Sequence, residues 1–166
     1  MDTQERQTYV KRQLTAALLE LLEEQELRDI SVSALTAAAG VHRVSFYRSY
    51  AGKEDILREY LLGLFGDWMA RYDRQERHSD DDLCVHLFAH LCEYRDFYRL
   101  LSRRGLLYLL KDVLVRICGP RPEYPNAGAY AAAFISYGLY GWIEEWVARG
   151  MRESPEEMAE LLKSRL

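Results

Sequence analysis

Ser31-Val32-Ser33-Ala34-Leu35-Thr36-Ala37-Ala38-Ala39-Gly40-Val41-His42-Arg43-Val44-Ser45-Phe46-Tyr47-Arg48-Ser49-Tyr50-Ala51-Gly52-Lys53 decides the fold of this chain. Ser31 is a good N-cap, because its hydroxyl can accept from an amide of the first helical turn. It predicts a short helix over 33–39, with Val32, Leu35 and Ala38/Ala39 as apolar positions. Gly40 can take the left-handed conformation that closes a helix. A second short segment, Arg43 to Tyr50, begins almost at once. Two short helices joined by a tight turn containing glycine form a helix-turn-helix.

The flanks read as helices too. Tyr9, Leu14, Ala17, Leu18, Leu21 and Leu22 recur at spacings of three and four, predicting a helix over 3–24. Gln25 to Asp29 interrupts that period. Beyond the motif, Gly52-Lys53-Glu54-Asp55 opens a long helix to about Arg77, with Ile56, Leu57, Tyr60, Leu61, Leu64, Phe65, Trp68 and Met69 on one broad face. His78-Ser79-Asp80-Asp81-Asp82 reads as a polar turn, followed by helices over 83–93, 96–103 and 105–118. Residues 119–126 hold three of the four prolines and form the one clear loop. A helix over 127–150 follows, and Ser154-Pro155-Glu156-Glu157 is a complete capping box for the last one. The expected fold is all-α, about nine helices: an N-terminal three-helix helix-turn-helix domain (1–54) and a C-terminal helical domain for dimerisation and ligand (55–166).

Composition agrees and removes other classes. In 166 residues, 49% hydrophobic and 29% charged, there is enough apolar matter for a core, and disorder is excluded. Four prolines and ten glycines leave little room for many short strands. Cys84, Cys92 and Cys118 are odd in number and lack a C-x-x-C spacing, which suits reduced thiols in a cytoplasm better than a disulfide framework. The first seven residues have no apolar run and are no signal peptide. Tyr124–Ile143 carries no formal charge and is long enough to test as a membrane span. Its Pro, Asn, Ser, Gly and Tyr content, and the Glu144-Glu145 that follows, favour a packing helix and no membrane partner. There is no Gly-rich phosphate loop, no Gly-x-Ser-x-Gly and no His-Glu-x-x-His, and neighbouring Glu144 and Glu145 diverge by about 100° on a helix. No catalytic residue and no cofactor are expected.

The overall charge of −4 is a weak argument against nucleic acid, since binding needs local charge. From Gly40 to Lys53 there is no acid, while Arg43, Arg48 and Lys53 bring +3 beside His42. A helix-turn-helix sends its second helix into the major groove. Arg43 can donate two hydrogen bonds to a guanine edge, Ser45 can reach a base or a phosphate, and Tyr47 and Lys53 suit phosphates. Phe46 and Tyr50 should pin the helix to the core. The bland alternative is three surface cations and a few core aromatics.

Ile30 to Leu57 resembles the DNA-binding domain of TetR-like bacterial regulators, and the likeness extends over about residues 6–60. Phe46-Tyr47, Tyr50 and Lys53-Glu54-Asp55-Ile56-Leu57 match the family pattern in order and spacing. The resemblance implies double-stranded operator DNA as partner. Phosphate contacts would come from Ser31, Tyr47 and Lys53, and base contacts from Arg43, Val44 and Ser45, with Ser33, His42 and Arg48 alongside. Where the family often has His before the last aromatic, this chain has Ser49, which removes one expected backbone contact. Asp96 to Leu101 and Gly141 to Met158 resemble the short C-terminal domain of TetR-like proteins similar to regulators of dihydroxyacetone kinase (DhaS-like).

That likeness implies a homodimer through the last two helices, here 127–150 and 155–166. Independently, Ala131, Ile135, Gly138, Trp142 and Trp146 form a stripe that a small domain cannot easily cover; Met158 and Leu162 would join it from the last helix. The alternative is that the stripe is intramolecular core. The family often holds a small-molecule effector among helices four to eight, for which Trp68, Tyr72, Phe88, Phe97, Tyr108, Phe134 and Tyr137 are the candidate lining, against a solid aromatic core. His86 and His90, four apart, have the spacing of a metal pair, but Cys84 and Cys92 point away from their face. Asp80-Asp81-Asp82 is a helix-start cap rather than a cation site. No metal is expected. The implied function is a dimeric, sequence-specific repressor released by an effector; the alternative is a helical protein-interaction module that kept the fold without specific DNA binding.

Overall fold

The computed structural model describes residues 3–74 and 80–164, and every regular element among them is helical. The helices are α1 (Thr3–Glu24), α2 (Val32–Ala38), α3 (Arg43–Ser49), α4 (Lys53–Tyr72), α5 (Asp80–Glu93), α6 (Arg95–Arg103), α7 (Tyr108–Cys118), α8 (Asn126–Ala148) and α9 (Pro155–Lys163). The chain divides into two compact units, one up to Leu61 and one from Leu62 onward.

In the first unit α1, α2 and α3 pack on one another. Leu14, Leu18, Leu22, Leu35 and Phe46 are buried between them, joined by Leu27 and Ile30 from the α1–α2 loop. Ser31 caps α2 as expected, its Oγ accepting from the Ala34 amide at 3.0 Å. The helix therefore starts at Val32, one residue before the expected Ser33. Gly40 sits at φ +62°. Its amide donates to Ala37 O, and the Val41 amide donates to Thr36 O. This doubly bonded closure needs a left-handed residue, which glycine enters without strain. At the end of α3, Tyr50 is extended rather than helical, and buried.

In the second unit α9 packs on α5, and α8 on α7 and α6. The later part of α4 supplies Leu64, Phe65, Trp68 and Tyr72 to the interior. Helix α4 ends at Tyr72, earlier than the expected Arg77. Helix α7 starts at Tyr108 rather than Gly105, because Gly105 (φ +65°) closes α6, and Leu106 and Leu107 bridge across as buried residues. The capping box of α9 is complete: the Ser154 amide donates to Glu157 Oε2 at 2.7 Å and the Glu157 amide to Ser154 Oγ at 3.1 Å. Met158 and Ala159 are buried behind it. The polar turn read at 78–82 lies outside the described residues, apart from the helical backbone from Asp80, so the side chains of Asp80, Asp81 and Asp82 are outside them too.

Two sequence expectations are corrected here. The stripe on α8 does not stay on one face: Ala131, Ile135 and Gly138 are exposed, Trp142 is half-buried and Trp146 is buried against Phe88 of α5, ring centroids 5.4 Å apart and nearly perpendicular. At about 100° per residue, Trp146 lies about 60° around the helix from Ala131, enough to carry it into the core. Met158 is likewise buried within its own chain, and Leu162 is half-buried. The candidate effector lining does not converge either. Trp68, Tyr72 and Phe88 are interior and Phe97 half-buried, but Tyr108 and Tyr137 are exposed and Phe134 is 69% exposed. The buried face of α8 runs through Ser136, Ile143 and Val147, and Phe134 falls opposite Ser136.

Candidate nucleic-acid interface

The candidate interface is built on α3, a helix of two turns held by one aromatic anchor. Phe46 is buried and meets the Tyr47 ring edge-on at 5.2 Å and Tyr50 at 6.2 Å. With that side fixed, Arg43, Val44, Tyr47 and Arg48 face outward together. Val44 is 68% exposed. His42 is the exposed N-cap residue of α3, and no side-chain bond ties its ring to the helix. Ser45 is half-buried, and its amide donates to His42 O at 2.8 Å. Ser31 and Ser33 are exposed at the start of α2. The residues from Ser31 to Arg48 singled out in the sequence are thus accessible, and they contain no carboxylate.

Arg43 is held in a defined place. Its guanidinium donates to Tyr47 Oη at 3.0 Å and lies over the Tyr47 ring, 5.4 Å from the centroid. A guanidinium has five N–H donors, so this contact leaves several for a base edge. The pair sits at i and i+4, the spacing at which helical side chains meet.

Lys53 departs from expectation. Instead of extending toward solvent, its ammonium donates to the backbone carbonyls of Leu27 and Ile30 in the α1–α2 loop. The first turn of α4 that carries it is itself fixed, as Asp55 Oδ2 accepts from the Gly52 amide at 2.9 Å and Asp55 Oδ1 accepts from Arg58 at 3.0 Å. A second tie crosses the unit from α1: Lys11 Nζ meets Glu59 Oε1 at 2.7 Å and lies 5.6 Å from the Tyr50 ring centroid. Burial and the neighbouring Glu59 carboxylate raise the Tyr50 phenol well above its ordinary range, so it stays a hydrogen-bond donor. Neither tie was legible in the sequence; the only signal was the Asp three residues after Gly52, a cap pattern.

In the second unit, His90 is buried among Phe65, Trp68 and Tyr94, with ring centroids between 5.2 and 6.0 Å. Burial and the Arg71 cation lower its pKa to about 4. Arg71 lies 3.5 Å from Nδ1 and is paired with Glu93 at 3.0 Å. A cation facing Nδ1 is the reverse of what a metal ligand needs, and among the described residues no three His, Cys, Asp or Glu side chains gather as a metal site. His86 packs on Tyr72 instead. The three cysteines form no disulfide. No described helix is long and apolar enough to cross a membrane.

The family described as bacterial regulatory proteins, tetR family, matches residues 14–60, and the family described as transcriptional regulator C-terminal region matches residues 81–166. Among solved structures, Lin0861 from Listeria innocua is 13% identical, with a TM-score of 0.74 over 99% of this chain and 93% of that one. A TetR transcriptional regulator from Streptococcus agalactiae 2603V is 18% identical, with a TM-score of 0.65 over 98% and 96%. The dihydroxyacetone kinase operon activator DhaS is 15% identical, with a TM-score of 0.55 over 94% and 93%. At these identities the likeness is one of fold. No curated relative matches the chain.

Proposed function

Because the chain belongs to the TetR family of bacterial regulatory proteins, and so is a DNA-binding transcriptional regulator and not an enzyme, we propose that it is a cytoplasmic homodimeric repressor. In this reading it binds a palindromic operator through α3 and is released by a small-molecule effector. The observation that carries the reading is the outward face of α3, where Arg43, Val44, Tyr47 and Arg48 stand together over a buried Phe46. Arg43, Val44 and Ser45 read base edges; Ser31, Ser33, His42, Tyr47 and Arg48 set the register on phosphates. Residues 1–54 are the reading head and 55–166 the regulatory part.

In this reading the chain works as a dimer. Two recognition helices one turn of DNA apart read two half-sites. The middle of α8 offers the surface: Tyr130, Phe134, Ile135 and Tyr137 are all more than half exposed, and Gly138 and Gly141, exposed just after them, allow close approach. A stable interface takes roughly 800 Å² from each partner, and exposed Tyr and Phe are residue types that such interfaces favour. Effector binding is supported by two buried nitrogens, Trp68 Nε1 and His90 Nε2, that find no hydrogen-bond partner among the described residues. A buried polar atom without a partner is costly, and a ligand that satisfies it gains that energy. If the effector favours a dimer with misplaced recognition helices, it weakens DNA binding by the same factor by which DNA weakens the effector.

The test is selection of bound duplexes from a random pool at two salt concentrations. An enriched inverted repeat supports the dimeric specific regulator. Binding without enrichment contradicts specific reading, and no binding at low salt favours a protein-interaction module.

A further inference from the structure

We infer that Lys53 is a positioning residue for operator binding and not a phosphate ligand: it holds the α1–α2 loop so that Ser31 and the first turn of α2 meet the DNA backbone in register. The inference rests on the DNA-binding reading above, and it departs from the role the sequence resemblance implies for this lysine.

Three observations converge. The α1–α2 loop is anchored by Leu27 and Ile30, both buried, while Arg28 and Asp29 between them are exposed. Leu27 and Ile30 both lie between α1 and α2, so their backbone carbonyls are outside any helical ladder and each calls for a donor. The Lys53 ammonium donates to both. An ammonium has three protons, so two are committed to the loop. Next, Lys53 is aimed by a fixed first turn, since Asp55 accepts from the Gly52 amide and so settles the start of α4. Finally, Ile30 immediately precedes Ser31, the N-cap of α2 and the residue expected on a phosphate. Whatever fixes the Ile30 carbonyl fixes the direction in which α2 begins. Extending Lys53 to a phosphate would take its ammonium away from both loop carbonyls.

Phosphate ligation and loop positioning differ in one measurable quantity. Each phosphate neutralised contributes about 0.9 to the slope of log K against log salt, whereas a loop clamp contributes nothing to it. The experiment compares wild type, Lys53→Met (stem kept, donors removed) and Lys53→Arg (donors kept). Amide hydrogen exchange over Leu27–Ser31 is measured without DNA, and the salt dependence of binding with the selected operator. Circular dichroism confirms that the helices persist. Positioning predicts that Lys53→Met exchanges in the loop roughly tenfold faster, loses operator affinity at an unchanged salt slope, and recovers both in part as Lys53→Arg. A slope reduced by about 0.9 with loop exchange unchanged would overturn the inference. Unchanged exchange in Lys53→Met overturns it on the fold alone. Failure of wild type to bind any duplex is a different result, which removes the DNA-binding reading while the loop exchange still decides whether the clamp exists.

Discussion

Arg43 and His90 show how much a single side chain can be asked to do. Arg43 stands at the start of α3, exposed and pre-aimed by Tyr47. In the proposed reading, Arg43→Ala loses about 1–3 kcal/mol of discrimination at one operator base pair while nonspecific binding changes little. Binding to the operator and to single-base variants measures this, and an unchanged preference would remove Arg43 from base reading. His90 makes a prediction about stability instead. Its pKa, about 4 in the fold, lies below the ordinary 6.5. The folded chain therefore binds fewer protons than the unfolded chain between those values. The stability from neutral His90 is fully present above pH 6.5 and is lost as pH falls from 6.5 to 4, by a few kcal/mol at most. Urea unfolding of wild type across that window should show the loss, and His90→Phe, which keeps an aromatic ring among Phe65 and Trp68, should flatten it.

The elements were the most legible level of this chain, because caps and turns are local. Ser31, Gly40 and the Ser154–Glu157 box each act within four residues, and all three sit where the spacing predicts. Ser154→Ala removes one half of the box and should cost about 1 kcal/mol in urea unfolding, with helical content otherwise kept. A loss near zero would mean that the packing of Met158 and Ala159 holds α9 without its cap. Element ends were read less well where a neighbouring residue decided them. Gly105 closes α6 rather than opening α7, since a glycine at φ +65° serves a helix end. The α8 stripe failed for a different reason. At about 100° per residue a step of four turns about 40° forward and a step of three about 60° back, so the two consecutive steps of four from Gly138 to Trp146 carry the stripe around, here from the exposed Ala131 to the buried Trp146.

At the scale of the whole molecule the proposed dimer divides α8 into two functions, and substitutions can separate them. Ile135→Glu, on a side chain 54% exposed, should yield monomers in sedimentation at micromolar concentration without lowering monomer stability. Trp146→Ala, in the core against Phe88, should cost about 3–5 kcal/mol in unfolding whatever the assembly state. A dimer that survives Ile135→Glu would place the interface elsewhere. The sequence by itself determined the all-helical class, the helix-turn-helix and its accessible basic face, because periodicity, caps and a left-handed glycine are properties of consecutive residues. Only the tertiary structure decided what long side chains meet. Lys53 turned out to face two loop carbonyls 23 and 26 positions earlier in the chain, and His90 was found sealed between α4 and α5 beside Arg71. The physical reason is that a lysine or histidine carries no local mark of its partner: its environment is set by which distant backbone and rings the packed helices bring within a few ångströms.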